Sequence, residues 1–198
     1  LVRRTASLAL GGPGHQAHPL PLGVQARIAA LAAEAIGAAS TSAGSSCSPE
    51  QALDVLRMNA RRGDPEAVEA ARCVLQQVGA PASARCAAAA ALGAFAAPGD
   101  CEVVRLCSEV LGSSDAQLQA EVFRTLEGIS AGHAAEVAVV TGVAADEGVP
   151  VATRRRALQC LARVAPHGDA SALDCAIAAV GSSDAGLRGE ALGVVVRV

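Results

Sequence analysis

Aromatic residues and lysine are almost missing from this sequence. It contains no Trp, Tyr or Lys, and Phe95 and Phe123 are its only aromatic side chains. A folded core must therefore consist mainly of small apolar side chains, which let helix backbones approach closely. All 16 basic residues are Arg and the formal net charge is -3, so no overall basic field favours a nucleic acid or an anionic membrane as partner.

Long apolar runs and paired cysteine motifs are also missing. The longest apolar run, Cys86 to Ala97, falls well short of the ~20 residues that cross a bilayer, so no membrane partner is expected. The seven Cys contain no CxxC pair, which favours reduced thiols, no metal site and a cytoplasmic protein. The Cys that we expect to pack as small apolar residues within helices are Cys73, Cys107, Cys160 and Cys175.

A repeat of 33 to 36 residues is the main positive signal. Its clearest mark is a Gly followed by a polar residue, at Gly63-Asp64, Gly99-Asp100, Gly132-His133 and Gly168-Asp169. A second register agrees, because residues 112–121 and 181–190 match at most positions and lie 69 residues, or two units, apart. Such periods are typical of stacked supersecondary units.

Each unit divides into two amphipathic helical segments. The first has apolar residues on one helical face, namely Val68, Ala71 and Leu75; Val104, Cys107 and Leu111; Val137, Val140 and Ala144; Leu173, Ile177 and Val180. The second has an apolar pair three residues apart, namely Leu92 with Phe95, Leu126 with Ile129, Leu161 with Val164, and Val195 with Val198. The expected starts of the second helices are marked by Pro81, Asp115, Pro150 and Asp184.

The repeat predicts an all-α fold, a solenoid of stacked antiparallel helical hairpins. We expect divergent N-terminal helices in residues 1–48, one of them over Val24–Gly37, with a Ser/Gly-rich insertion at 38–48. A single helix in residues 49–62 completes an early repeat. The remaining repeats are 63–98, 99–131, 132–167 and 168–198, and we expect the array to belong to a longer chain.

Residues 81–93, Pro-Ala-Ser-Ala-Arg-Cys-Ala-Ala-Ala-Ala-Ala-Leu-Gly, resemble the form Asp-x-x-Val-Arg-x-x-Ala-Ala-x-Ala-Leu-Gly of HEAT repeats, particularly those of phycobilisome-lyase-like HEAT proteins. Residues 115–128, 150–162 and 184–196 resemble it more loosely. The resemblance implies an armadillo-like superhelix. In that family a residue early in each second helix joins a polar ladder with turn Asp residues of neighbouring units. The matching residues here are Arg85, Gln119, Arg154 and Arg188, with Asp only at Asp115 and Asp184, so the ladder is incomplete and a structural role for these side chains is expected.

The resemblance further implies that the second helices line a concave face, where a protein or peptide partner binds. The outward polar residues expected on this face are Arg124, Glu127, Arg154, Arg155, Gln159, Arg163, Arg188 and Glu190. No catalytic, cofactor-binding or metal-binding residues are predicted, because no reactive constellation converges in the sequence. The predicted function is therefore a non-catalytic protein interaction scaffold.

Two other classes of function stay open. The resemblance suggests a bilin lyase or isomerase, although a tetrapyrrole pocket without Tyr or Trp would be unusual. A nucleic-acid-binding module similar to HEAT-like DNA glycosylases is disfavoured by the sparse basic and aromatic residues. The scattered His15, His18, His133 and His167 form no His-Glu pairs, which disfavours the related di-iron hydroxylase activity.

Overall fold

A computed structural model describes residues 48–77, 79–130 and 132–198, and within these ranges the chain forms nine α-helices and no strand. The helices are α1 (Pro49–Asn59), α2 (Pro65–Gln76), α3 (Ala82–Phe95), α4 (Cys101–Leu111), α5 (Ala116–Ile129), α6 (Ala134–Ala145), α7 (Val151–Val164), α8 (Ala170–Val180) and α9 (Ala185–Arg197). The all-α prediction is confirmed for this part. The predicted helix at Val24–Gly37 and the insertion up to residue 47 lie outside the described residues.

The helices alternate between two roles, and we call α2, α4, α6 and α8 first helices and α1, α3, α5, α7 and α9 second helices. Each first helix contacts the second helix that follows it in the chain. Each second helix also contacts the next second helix, and α4, α6 and α8 contact one another in order. These contacts fit a helical repeat arrangement, in which every hairpin packs on its neighbours. None of the described helices is long and apolar enough for a bilayer crossing.

Polar N-cap residues explain where most helices begin. The carboxylates that accept first-turn backbone N–H groups belong to Asp64, Asp100, Asp115, Asp169 and Asp184. Each satisfies donors that a helix start otherwise leaves unpaired. Pro81 and Pro150 occupy the same N-cap position of their second helices, without a side-chain hydrogen bond.

The repeating glycines occupy turns between units. Their φ angles are positive, from 71° to 82°, at Gly63, Gly99, Gly132 and Gly168. These glycines do not cap the second helices, since α3, for example, ends at Phe95 and its C-cap Ala96 is extended. Gly99 instead forms the following turn, and its N–H donates to the carbonyl of Ile129 at 2.9 Å. The glycine that begins a unit is therefore hydrogen-bonded to the end of the second helix of the same unit.

The predicted apolar pairs of the second helices form much of the core. Both members are buried in α3, α5 and α7, at Leu92 with Phe95, Leu126 with Ile129, and Leu161 with Val164. The prediction is wrong for α9, where Val195 is exposed and Val194 is buried instead. The first-helix prediction is wrong for Ile177 of α8, which is 63% exposed, whereas the adjacent Ala176 is buried.

The helices α3 and α5 approach at two glycines. A Cβ atom added to Gly128 would lie 2.8 Å from the carbonyl oxygen of Gly93, and one added to Gly93 would lie 3.1 Å from the Cα of Thr125. The Thr125 hydroxyl donates to the carbonyl of Ala89 at 2.7 Å. These contacts need backbones that nearly touch, as the shortage of large side chains predicts.

Candidate functional site

One position near the start of each hairpin's second helix links the two helices of the hairpin. It is the fifth residue when the N-cap is counted as the first. Arg85 Nε donates to the carbonyl of Leu75 at 3.2 Å, and Arg154 Nε donates to that of Ala144 at 3.0 Å. Both carbonyls lie near the C-terminus of the preceding first helix, where backbone acceptors lack partners within the helix. Arg154, predicted to face a partner, is thus engaged inside its own hairpin.

Gln119 and Arg188 occupy the equivalent position of α5 and α9, and their side chains donate to carbonyls at the end of the first helix or in the turn after it. Gln119 Nε2 donates to the carbonyl of Leu111 at 3.0 Å, and one Arg188 nitrogen donates to the carbonyls of Ser182 and Ser183, both at 2.9 Å. Within the described residues these four side chains donate to carbonyls of their own hairpins rather than to turn Asp residues of neighbouring units. Those Asp carboxylates accept N–H groups of their own helices, as Asp115 does from Leu118 at 3.1 Å.

The other predicted residues mostly join neighbouring second helices. Glu127 of α5 forms ion pairs with two arginines of α7, Arg156 at 3.1 Å and Arg163 at 2.7 Å. Arg156 also donates to the side-chain oxygen of Gln159 at 3.3 Å. Glu127 is thereby held between two guanidinium groups, and α5 is bridged to α7.

The bridging continues from α7 to α9. Gln159 Nε2 donates to Glu190 Oε1 at 2.8 Å, and Arg155 lies 3.7 Å from the same oxygen. The Arg155 guanidinium also lies over Gly186, where an added Cβ would be 2.7 Å from Arg155 Cζ. We call Glu127, Arg155, Arg156, Gln159, Arg163 and Glu190 the charged strip, because it runs across α5, α7 and α9.

The arginines of this surface are more exposed than the carboxylates they pair with. The Arg163 side chain is 54% exposed against 16% for Glu127. Arg124, which pairs with Glu121 of its own helix, is 62% exposed against 20%. The first helix α2 has the opposite arrangement, with Arg72 at 24% and Glu69 at 63%. The second helices α5 and α7 therefore present guanidinium groups above partly covered carboxylates.

Three consecutive arginines of α7 point in three directions, as expected for a helix. Arg154 reaches the preceding first helix, Arg155 reaches α9, and Arg156 reaches α5. Arg156 was missing from the residues selected from the sequence. The spacing of Arg156, Gln159 and Arg163, three and then four residues, indicates one helical face and could have identified it.

The cysteines add no reactive group to this surface. Burial raises the pKa of the Cys107 and Cys160 thiols to about 12, so both are neutral at physiological pH. Cys175 is also buried, in agreement with the predicted packing role, whereas Cys73 is exposed and the prediction is wrong for it. Within the described ranges, no three His, Cys, Asp or Glu residues cluster in a way that could hold a metal ion.

Known proteins provide little further guidance. No protein-family model matches the chain. No curated protein sequence matches it either. A crystal structure of an engineered protein aligns with 99% of this chain and 78% of its own, at 19% identity and a TM-score of 0.48. Another aligns with 76% of this chain, which spans 40% of that protein, at 19% identity and a TM-score of 0.47. Neither likeness carries an argument about function.

Proposed function

We propose that this chain is a HEAT-like α-solenoid that serves as a non-catalytic scaffold and binds an acidic peptide segment of a protein partner along the charged strip. The stacked hairpins with recurring glycine turns support the solenoid, and the sequence of residues 81–93 supports the HEAT resemblance. Binding distributed over several units suits such an array, because each unit contributes a similar patch of surface.

The exposure of the arginine heads carries the proposal. Arg163 belongs to the charged strip, and Arg124 stands on the same helix as Glu127 of that strip; each pairs with a carboxylate that is mostly withdrawn from solvent. Packed helices are about 8–10 Å apart, which is close to one turn of a polyproline II chain, three residues at roughly 3.1 Å per residue with every third side chain on the same side. A peptide that crosses the helices could therefore place acidic residues at every third position beside successive guanidinium groups.

A peptide array tests the proposal. The probes are extended peptides with Asp or Glu at every third position, and matched peptides in which Asn or Gln replaces those acids. We expect the wild-type chain to prefer the acidic set and to lose that preference as salt screens the charges. Equal retention of both peptide sets would contradict the proposal.

Two variants locate the binding surface. Replacing Arg155 and Arg163 together by Ala should weaken binding of the best acidic peptide at least tenfold. The matched control is Arg105→Ala, since Arg105 is a comparably exposed arginine on the first helix α4 that pairs with Glu102 and Glu109. Equal losses in the double variant and the control would remove the charged strip as the binding surface.

A further inference from the structure

The two carboxylate oxygens of Glu127 in the charged strip have separate partners. Oε1 is buried and lies 3.1 Å from a terminal nitrogen of Arg156. Oε2 accepts a hydrogen bond from Arg163 at 2.7 Å. Because the two arginines use different oxygens, the contact with Arg163 can open while the contact with Arg156 stays in place.

The two arginines that contact Glu127 also differ in how firmly the chain holds them. The Arg156 side chain is 25% exposed, and its other terminal nitrogen donates to Gln159 of the same helix at 3.3 Å. The Arg163 side chain is 54% exposed and meets Glu127 through one nitrogen. Arg156 is therefore the inner partner of the carboxylate, and Arg163 is the outer partner, which a ligand from solvent reaches first.

Glu190 of α9 also has an inner and an outer partner. Gln159 donates to Glu190 Oε1 at 2.8 Å, whereas the more exposed Arg155 lies farther away, at 3.7 Å from the same oxygen. Each outer arginine of the strip thus faces a carboxylate of the chain itself. A carboxylate of a bound peptide would form the same kind of charged contact, so it must compete with the one already there.

We propose that Glu127 is an internal competitor of the acidic peptide and that Arg156 is a positioning residue for the exchange. When a peptide carboxylate takes the Arg163 guanidinium, Arg156 stays with Glu127 and keeps its buried oxygen beside a positive charge. Without Arg156 the exchange would leave a buried charge unpaired, which is strongly unfavourable. This inference rests on the proposed peptide-binding function and adds how the charged strip is regulated.

Removing the competitor should strengthen peptide binding. Glu127→Gln should bind the best acidic peptide about twofold to fivefold more tightly than the wild type, the range expected when a half-exposed ion pair no longer competes. The matched control is Glu109→Gln, which removes the same charge from a pair with Arg105 on the first helix α4 and should leave the affinity unchanged. Fluorescence anisotropy of the labelled peptide measures all three affinities. Equal gains in both variants would indicate a general charge effect and overturn the proposal.

The wild-type chain separates failure of this inference from failure of the proposed function. Wild-type binding without a gain in Glu127→Gln would overturn the competition and leave the peptide-binding function standing. Binding that appears only in Glu127→Gln would support the competition. No binding by either chain would remove the proposed function and this inference with it.

Arg156→Gln in two backgrounds tests the positioning role. In the wild-type background it should weaken binding of the acidic peptide at least threefold, and Arg156→Lys, which keeps the charge, should retain most of the affinity. In the Glu127→Gln background Arg156→Gln should change the affinity less than twofold, because no carboxylate is left to neutralise. Circular dichroism checks that each variant is folded. Equal losses in both backgrounds would indicate direct contact between Arg156 and the peptide, and would overturn the positioning role, as would no loss in the wild-type background.

Discussion

The interface between α3 and α5 and the interface between α5 and α7 occupy the same place in the repeat, yet different groups hold them. Between α3 and α5 the backbones meet directly at Gly93 and Gly128. Between α5 and α7 side chains bridge the helices, with Glu127 held by arginines. Gly93 and Glu127 are equivalent residues of their helices. One position therefore decides whether an interface is closed by backbone contact or carries a polar strip that can meet a partner.

Gly128→Ala should break the backbone contact and produce the largest effect. The new Cβ would lie 2.8 Å from the carbonyl oxygen of Gly93, so α3 and α5 must separate. We expect a loss of about 3 kcal/mol in the free energy of unfolding, typical of overpacked sites. Urea denaturation followed by circular dichroism measures it.

Gly142→Ala is the matched control for that prediction. Gly142 lies in α6, and an added Cβ there would have no neighbour within 4 Å. Because Ala restricts the unfolded chain and favours helix, the free energy of unfolding should rise by roughly 0.5–1 kcal/mol. The two identical substitutions should thus have opposite signs, and a loss of similar size in both would contradict the close contact at Gly128.

Thr153→Val should weaken the α5–α7 interface by removing a buried hydrogen bond. The Thr153 hydroxyl donates to Gln119 Oε1 at 3.0 Å, and both residues are buried. Without this donor a buried acceptor is left unsatisfied, which costs about 2 kcal/mol. Thr141→Val serves as control, because Thr141 Oγ1 is buried without a hydrogen-bond partner in the described part of the chain. Equal destabilisation by both variants would contradict this account.

The sequence predicts the regular features of the fold and misses the particular ones. Helix starts at Asp115 and Asp184 and the buried pair Leu126 with Ile129 follow from periodicity, because each depends on residues of a single unit. The partners of Glu127 could not be predicted, because they depend on how far α7 is shifted along α5. Val195 was misassigned because the periodicity does not fix the rotation of α9 to within one residue, and Val194 is the buried residue.

The buried thiols should make stability depend on alkaline pH. Burial raises the pKa of Cys107 and Cys160 to about 12, above the ordinary value of 9.0 that applies to the unfolded chain. Their contribution is fully present below pH 9 and is lost as pH rises from 9 towards 12, because only the unfolded chain releases these protons. Between pH 9 and 10 each thiol should lower the free energy of unfolding by about 1 kcal/mol.

The composition makes that titration easy to isolate. The chain has no Lys and no Tyr, so the side chains that change charge between pH 9 and 10 are mainly cysteines, and burial also raises the pKa of Cys73, Cys86 and Cys175. Urea denaturation at several pH values measures the slope, and Cys160→Ala should reduce it while leaving the share of Cys107. A slope unchanged by that substitution would show that the Cys160 thiol does not contribute.

The ion pair between Glu127 and Arg163 should have the smallest effect on stability. Its oxygen and nitrogen are 2.7 Å apart, but the arginine is more than half exposed, so water and salt screen the attraction. A double-mutant cycle with Glu127→Gln and Arg163→Gln should give a coupling free energy below about 1 kcal/mol that shrinks further in high salt. A coupling of several kcal/mol would show that the strip, like the glycine contact of α3 and α5, is needed to hold the units together. A weak coupling leaves the Arg163 guanidinium free to exchange Glu127 for an acidic partner at little cost to the fold, which the rigid glycine interface could not do.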